Sequence, residues 1–105
     1  MKWYQDYGFV LKQFEKGDDC VDETTFYFRS DPQETEHYIG YLSQYDEPYW
    51  AGYCDIPDGC SFRTAKELFE AKIYDGQSIK DRWEDVIITQ FGGIDVDYWG
   101  KSQIE

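Results

Sequence analysis

The stretch Thr24-Thr25-Phe26-Tyr27-Phe28-Arg29 decides the reading of the fold. Phe26 and Phe28 fall on one side of an extended chain, and Thr25, Tyr27 and Arg29 fall on the other, the period of two of a half-buried strand. Ser30-Asp31-Pro32-Gln33 follows with turn chemistry, because proline fixes its own backbone and Asp or Ser side chains bond nearby amides. His37 to Tyr45 then puts Tyr38 and Leu42 on one face and Ile39 and Tyr41 on the other, as in a central strand. Tyr45-Asp46-Glu47-Pro48 turns the chain into Tyr49-Trp50-Ala51-Gly52-Tyr53-Cys54, and a β-hairpin is predicted. Gly40 and Gly52, inside these strands, mark a bulge or leave room for an aromatic ring across the backbone. Upstream, residues 8 to 15 read as another strand with mixed apolar faces, broken by Lys16-Gly17-Asp18-Asp19.

Downstream, past the turn-rich Asp55-Ile56-Pro57-Asp58-Gly59, the period changes. Thr64-Ala65-Lys66-Glu67 matches a capping box, and Ala65, Leu68, Phe69, Lys72 and Ile73 follow at helical spacing until Asp75-Gly76. Ser78 caps a second, shorter predicted helix in which Ile79, Trp83 and Val86 share a face. Val86 to Phe91 is β-branched and runs into Gly92-Gly93, beyond which Ile94, Val96 and Tyr98 alternate with Asp95, Asp97 and Trp99, so a tight C-terminal hairpin is expected. The whole is an α+β chain: an antiparallel sheet of about four to six strands, two short helices between residues 64 and 86, and a single domain over 1–105.

Composition narrows the function classes. The chain carries 22 Asp and Glu against 10 Lys and Arg, a net charge of −12, with a pI near 4.3. Direct binding to nucleic acid or to an anionic membrane is disfavoured, since phosphates attract basic surface. Aromatic residues are abundant, 4 Trp, 10 Tyr and 7 Phe, which distinguishes the chain from a disordered acidic tail. No signal-peptide run or membrane span is visible, and a cytoplasmic location is expected, with Cys20, Cys54 and Cys60 as reduced thiols.

Catalytic motifs are missing from this pattern. His37 is the one histidine and reads as a surface residue. There is no Gly-x-Ser-x-Gly elbow and no Gly-rich phosphate loop. Asp55 and Asp58 oppose a thiolate at Cys54 or Cys60. The spacing of Cys54 and Cys60 lacks a zinc knuckle, and the acidic loops lack the ligand order of a calcium-binding EF-hand. No catalytic residue, metal or cofactor is therefore assigned.

What the sequence does present is carboxylates in the loops between strands: Asp18, Asp19, Asp22 and Glu23; Asp31, Glu34 and Glu36; Asp46 and Glu47. If loops gather at one end of the sheet, their charge imitates the spacing of phosphates on a duplex, and Tyr45, Tyr49 and Trp50 add short-range anchors. The expectation is a non-enzymatic protein that occludes a basic protein target, such as a nuclease or toxin, through Asp18, Asp19, Asp46, Glu47, Tyr45, Tyr49 and Trp50. In size, charge and missing chemistry it is similar to toxin-neutralising immunity proteins and to phage inhibitors of the anti-CRISPR type. The alternative is an intracellular domain that binds a small molecule or peptide on an aromatic surface, with acidity serving solubility.

Overall fold

A computed structural model describes residues 2–17 and 21–96. Six strands, β1 (Thr24–Phe28), β2 (His37–Tyr41), β3 (Tyr49–Gly52), β4 (Cys60–Phe62), β5 (Val86–Phe91) and β6 (Ile94–Asp95), form one antiparallel sheet in the order β4-β3-β2-β1-β5-β6. The α+β class, the hairpin of β2 and β3, and the Gly92-Gly93 hairpin are as the sequence predicts. Of the segment beyond Asp95, Val96 is buried, and Asp97, Tyr98 and Trp99 lie outside the described residues.

The first expected strand is instead a helix, α1 (Tyr7–Glu15). Asp6 caps it, its carboxylate accepting from the Phe9 amide at 3.2 Å. Tyr7, Val10, Leu11 and Phe14 recur at i, i+3, i+4 and i+7, which is a helical stripe, and Val10 and Phe14 are fully buried along it. The sheet gains its strand elsewhere, in the three-residue β4, which the sequence did not announce.

α2 (Ala65–Glu70) begins at Thr64, whose hydroxyl accepts from the Glu67 amide at 3.1 Å. Glu67 turns back toward that hydroxyl, at 3.4 Å, completing the cap through side chains. The helix ends five residues before Asp75, because Ile73 is drawn to the β3–β4 loop, where its carbonyl accepts from the Asp55 amide at 2.8 Å. Ile73 is still buried, but Lys72 leaves the apolar stripe and pairs with Asp81 at 2.7 Å. The second predicted helix reduces to turns opened by a reciprocal cap between Ser78 and Asp81, followed by a 3-10 turn at Trp83–Asp85.

Both helices lie on one face of the sheet. Phe14 meets Phe69 and Phe91 edge to face, with centroids 5.1 and 5.7 Å away. The described residues measure 38 × 35 × 20 Å, the thickness of one helix layer on one sheet. By alternation along the strands, Tyr27, Tyr38, Trp50 and Ile87 stand on the opposite face, which no helix covers among the described residues. Thr89 is a bulge residue there, skipped between the pairs Thr25 with Gln90 and Phe26 with Ile88.

Candidate functional site

On the helix-free face, the turn between β2 and β3 and the start of the segment after β4 enclose a groove of about 590 Å³. Tyr45, Asp46, Glu47 and Trp50 line it together with Ser61 and Arg63. Trp50 is its floor. The indole lies across Gly40 of the neighbouring strand, where a Cβ would stand 2.5 Å from the indole nitrogen. The same nitrogen donates to the Asp22 carboxylate at 2.7 Å, and that oxygen also accepts from the Tyr41 amide at 3.1 Å. One carboxylate thus fixes the ring and the edge of β2 together, a charge-assisted contact of the stronger kind.

The rim is held less tightly. Glu47 accepts from the Ser61 hydroxyl at 2.9 Å, which joins the turn to β4. Tyr45 is 60% exposed. Asp46 is exposed as well, and no side-chain hydrogen bond or ion pair engages it among the described residues. An aromatic floor with carboxylates at the rim suits a cationic side chain that stacks on a ring while its charge is met.

Four of the seven expected contact residues therefore share one groove. Tyr49 does not. It faces the helices, 6% exposed, and its hydroxyl donates to the Phe14 carbonyl at 2.6 Å, so it ties α1 to the sheet and is withdrawn from any partner. Burial pushes its phenol pKa upward. Asp18 and Asp19 lie outside the described residues. Ser61 and Arg63 were missed because β4 was, and Asp22 stood among the acidic loop residues without a sign that it would hold an indole.

The acidic loops divide between the two ends of the sheet. The register of β1 with β2 sets Thr24 opposite Ile39 and Phe26 opposite His37, so the chain before β1 and the β2–β3 turn share one end. Asp22 and Glu23 belong to that end with Asp46 and Glu47. Asp31, Glu34 and Glu36 belong to the other.

At this second end a cleft of about 290 Å³ is lined by Phe28, His37, Tyr53, Tyr74, Arg82 and neighbouring aspartates. His37 is half-buried among the rings of Phe26, Phe28 and Tyr74, deeper than a surface histidine. Its Nδ1 stands 2.6 Å from the Tyr53 carbonyl, which can only accept, so Nδ1 carries the proton. The Arg82 guanidinium lies 3.5 Å over the Phe28 ring. Asp31 accepts from the Gln33 and Thr35 amides, and these bonds lower its pKa. Asp55 accepts from the Asp75 amide at 2.8 Å. These two carboxylates cap backbone, and Asp31 is moved away from the raised pKa of a general acid. Among the described residues, no group of three or more His, Cys, Asp or Glu side chains is placed to hold a metal ion, and no helix is long and apolar enough to cross a membrane.

Compared with protein-family models, curated proteins and solved structures, the chain matches none.

Proposed function

We propose that this chain is a non-enzymatic binding protein that inhibits or neutralises a basic macromolecular target, seating a cationic segment of that target in the groove of Tyr45, Asp46, Glu47 and Trp50. The observation that carries the reading is the joining of these four residues, from a turn and a strand, around an indole fixed by Asp22. The net charge of −12 supports it, because a negative field speeds encounter with a basic partner and repels nucleic acid. Occlusion of a substrate channel, as in immunity proteins or anti-CRISPR inhibitors, is the mechanism such a surface would serve.

The test is inhibition of a panel of purified basic nucleases and toxins, with affinity for the one inhibited measured by calorimetry at low and raised salt. Exchanging Asp46→Asn and Glu47→Gln together is expected to weaken binding about tenfold or more and to flatten its salt dependence. Inhibition that survives these exchanges at full strength would sink the electrostatic mechanism. A second reading, a small-molecule or peptide site, is favoured by the aromatic cleft around His37 and Tyr74. Binding that ignores salt and is lost on Tyr53→Ala would select it.

A further inference from the structure

The loop between β3 and β4 brings two thiols together. Tyr53 takes a left-handed backbone at φ 56° and turns the chain out of β3. Gly59, at φ 82°, returns it so closely that a Cβ there would stand 2.7 Å from the Ala51 carbonyl. The return sets Cys60 opposite Ala51. Cys54 and Cys60 are thereby neighbours across one loop, both free and both half-buried against the core. The Cys54 thiol also reaches the Ile56 carbonyl, at 3.9 Å. Beside the pair lies the Tyr74 hydroxyl, buried and without a hydrogen-bond partner among the described residues, its pKa raised by burial first and then by the two cysteines.

We propose that Cys54 and Cys60 form a redox-active pair, a modification site at which a small-molecule disulfide such as oxidised glutathione closes a bridge across the β3–β4 hairpin. Cys60 pairs with Ala51, three residues before Cys54, and the turn at Tyr53 and Gly59 folds the loop between them back on β3, so the bridge closes within one hairpin. Five residues separate the two, so ring closure costs little chain entropy. Cys60 lies in the paired strand β4, where burial, and next the neighbouring Cys54, push its thiol up, whereas Cys54 lies in the loop outside the strands, so Cys54 meets the oxidant first.

The Cys54 thiolate attacks one sulfur of the oxidant, whose S–S bond breaks, and the first glutathione thiolate leaves with the electron pair. Cys60 then gives its proton to solvent and attacks the Cys54 sulfur, and the second glutathione thiolate leaves. Two cysteines are oxidised, one glutathione disulfide is reduced, and two glutathione thiols take up the protons. The bridge would tie the short edge strand β4, which carries Ser61 to the groove, yet it stands or falls independently of what the groove binds.

The full chain, and a Cys20→Ser variant that removes the third thiol, are incubated with oxidised glutathione, alkylated, digested and mapped by mass. A Cys54–Cys60 linkage in both proteins, opened again by dithiothreitol, is expected. Cys54→Ser is expected to leave Cys60 unmodified under the same oxidant. Free alkylation of both thiols after treatment, or bridges that run to Cys20 or between chains, would overturn the pair. Equal glutathionylation of Cys60 in the Cys54→Ser protein would overturn the order of attack.

Discussion

The indole of Trp50 rests on Gly40 because glycine alone leaves the backbone bare at that point, and the ring then reaches Asp22. A glycine inside an aromatic strand hints at this arrangement, since it gives up side-chain packing for close approach. The hint does not say which ring comes, and Asp22, 28 residues from Trp50 in sequence, carries no local sign of its partner. Gly40→Ala drives a methyl group against the indole and is expected to cost about 1–3 kcal/mol of stability, in the range of overpacked sites. Urea unfolding measures the loss, and one of the four indole N–H resonances should move as the Asp22 bond breaks. An unchanged midpoint with four unmoved resonances would show that the ring is not held there. Tyr49 makes the complementary point: beside Trp50 in sequence, it points to the opposite face, so adjacency in a strand separates residues where it was expected to join them.

At the level of elements, the helix cap of α2 was legible because a capping box is local: donor and acceptor are three residues apart and need nothing from the rest of the chain. α1 was equally local, with Asp6 as cap and a stripe at helical spacing, but its apolar residues at consecutive positions 9 to 11 also fit a buried strand. Short apolar runs are ambiguous in this way, and packing of Phe14 against Phe69 and Phe91 decides between them. Asp6→Ala removes the cap and is expected to cost ~1 kcal/mol. A fall in the urea midpoint of that size, with the sheet signal retained up to unfolding, is the outcome to look for; no fall would mean that tertiary packing alone sets where α1 begins. β4 escaped notice for the opposite reason. Three residues cannot display a period, and the strand exists because Gly59 returns the chain beside β3.

Across the whole molecule, a charge of −12 would favour expansion, yet several carboxylates are bound into the fold. The Lys72 ammonium first, and the Ser78 amide next, hold Asp81 down to about 2, while the Ser30 hydroxyl and amide and Arg82 lower Asp85. A carboxyl with a lower pKa in the folded chain than in the unfolded one stabilises the fold above about pH 4 and loses that contribution as pH falls toward 2. Asp81→Asn should therefore differ from the parent in urea midpoint near neutral pH and converge with it in acid. A difference that persists in acid would trace the effect to packing instead of charge. The sequence by itself determined the class of fold, the two hairpins, the cap of α2 and the sign of the surface, because each depends on residues a few positions apart or on composition. Only the tertiary structure decided that α1 is a helix, that the acidic loops divide between two ends, and that Trp50 joins Tyr45, Asp46 and Glu47 while Tyr49 turns inward. Those outcomes depend on strand register and on which side chains fill one shared core, and both are set by contacts between residues far apart in the chain.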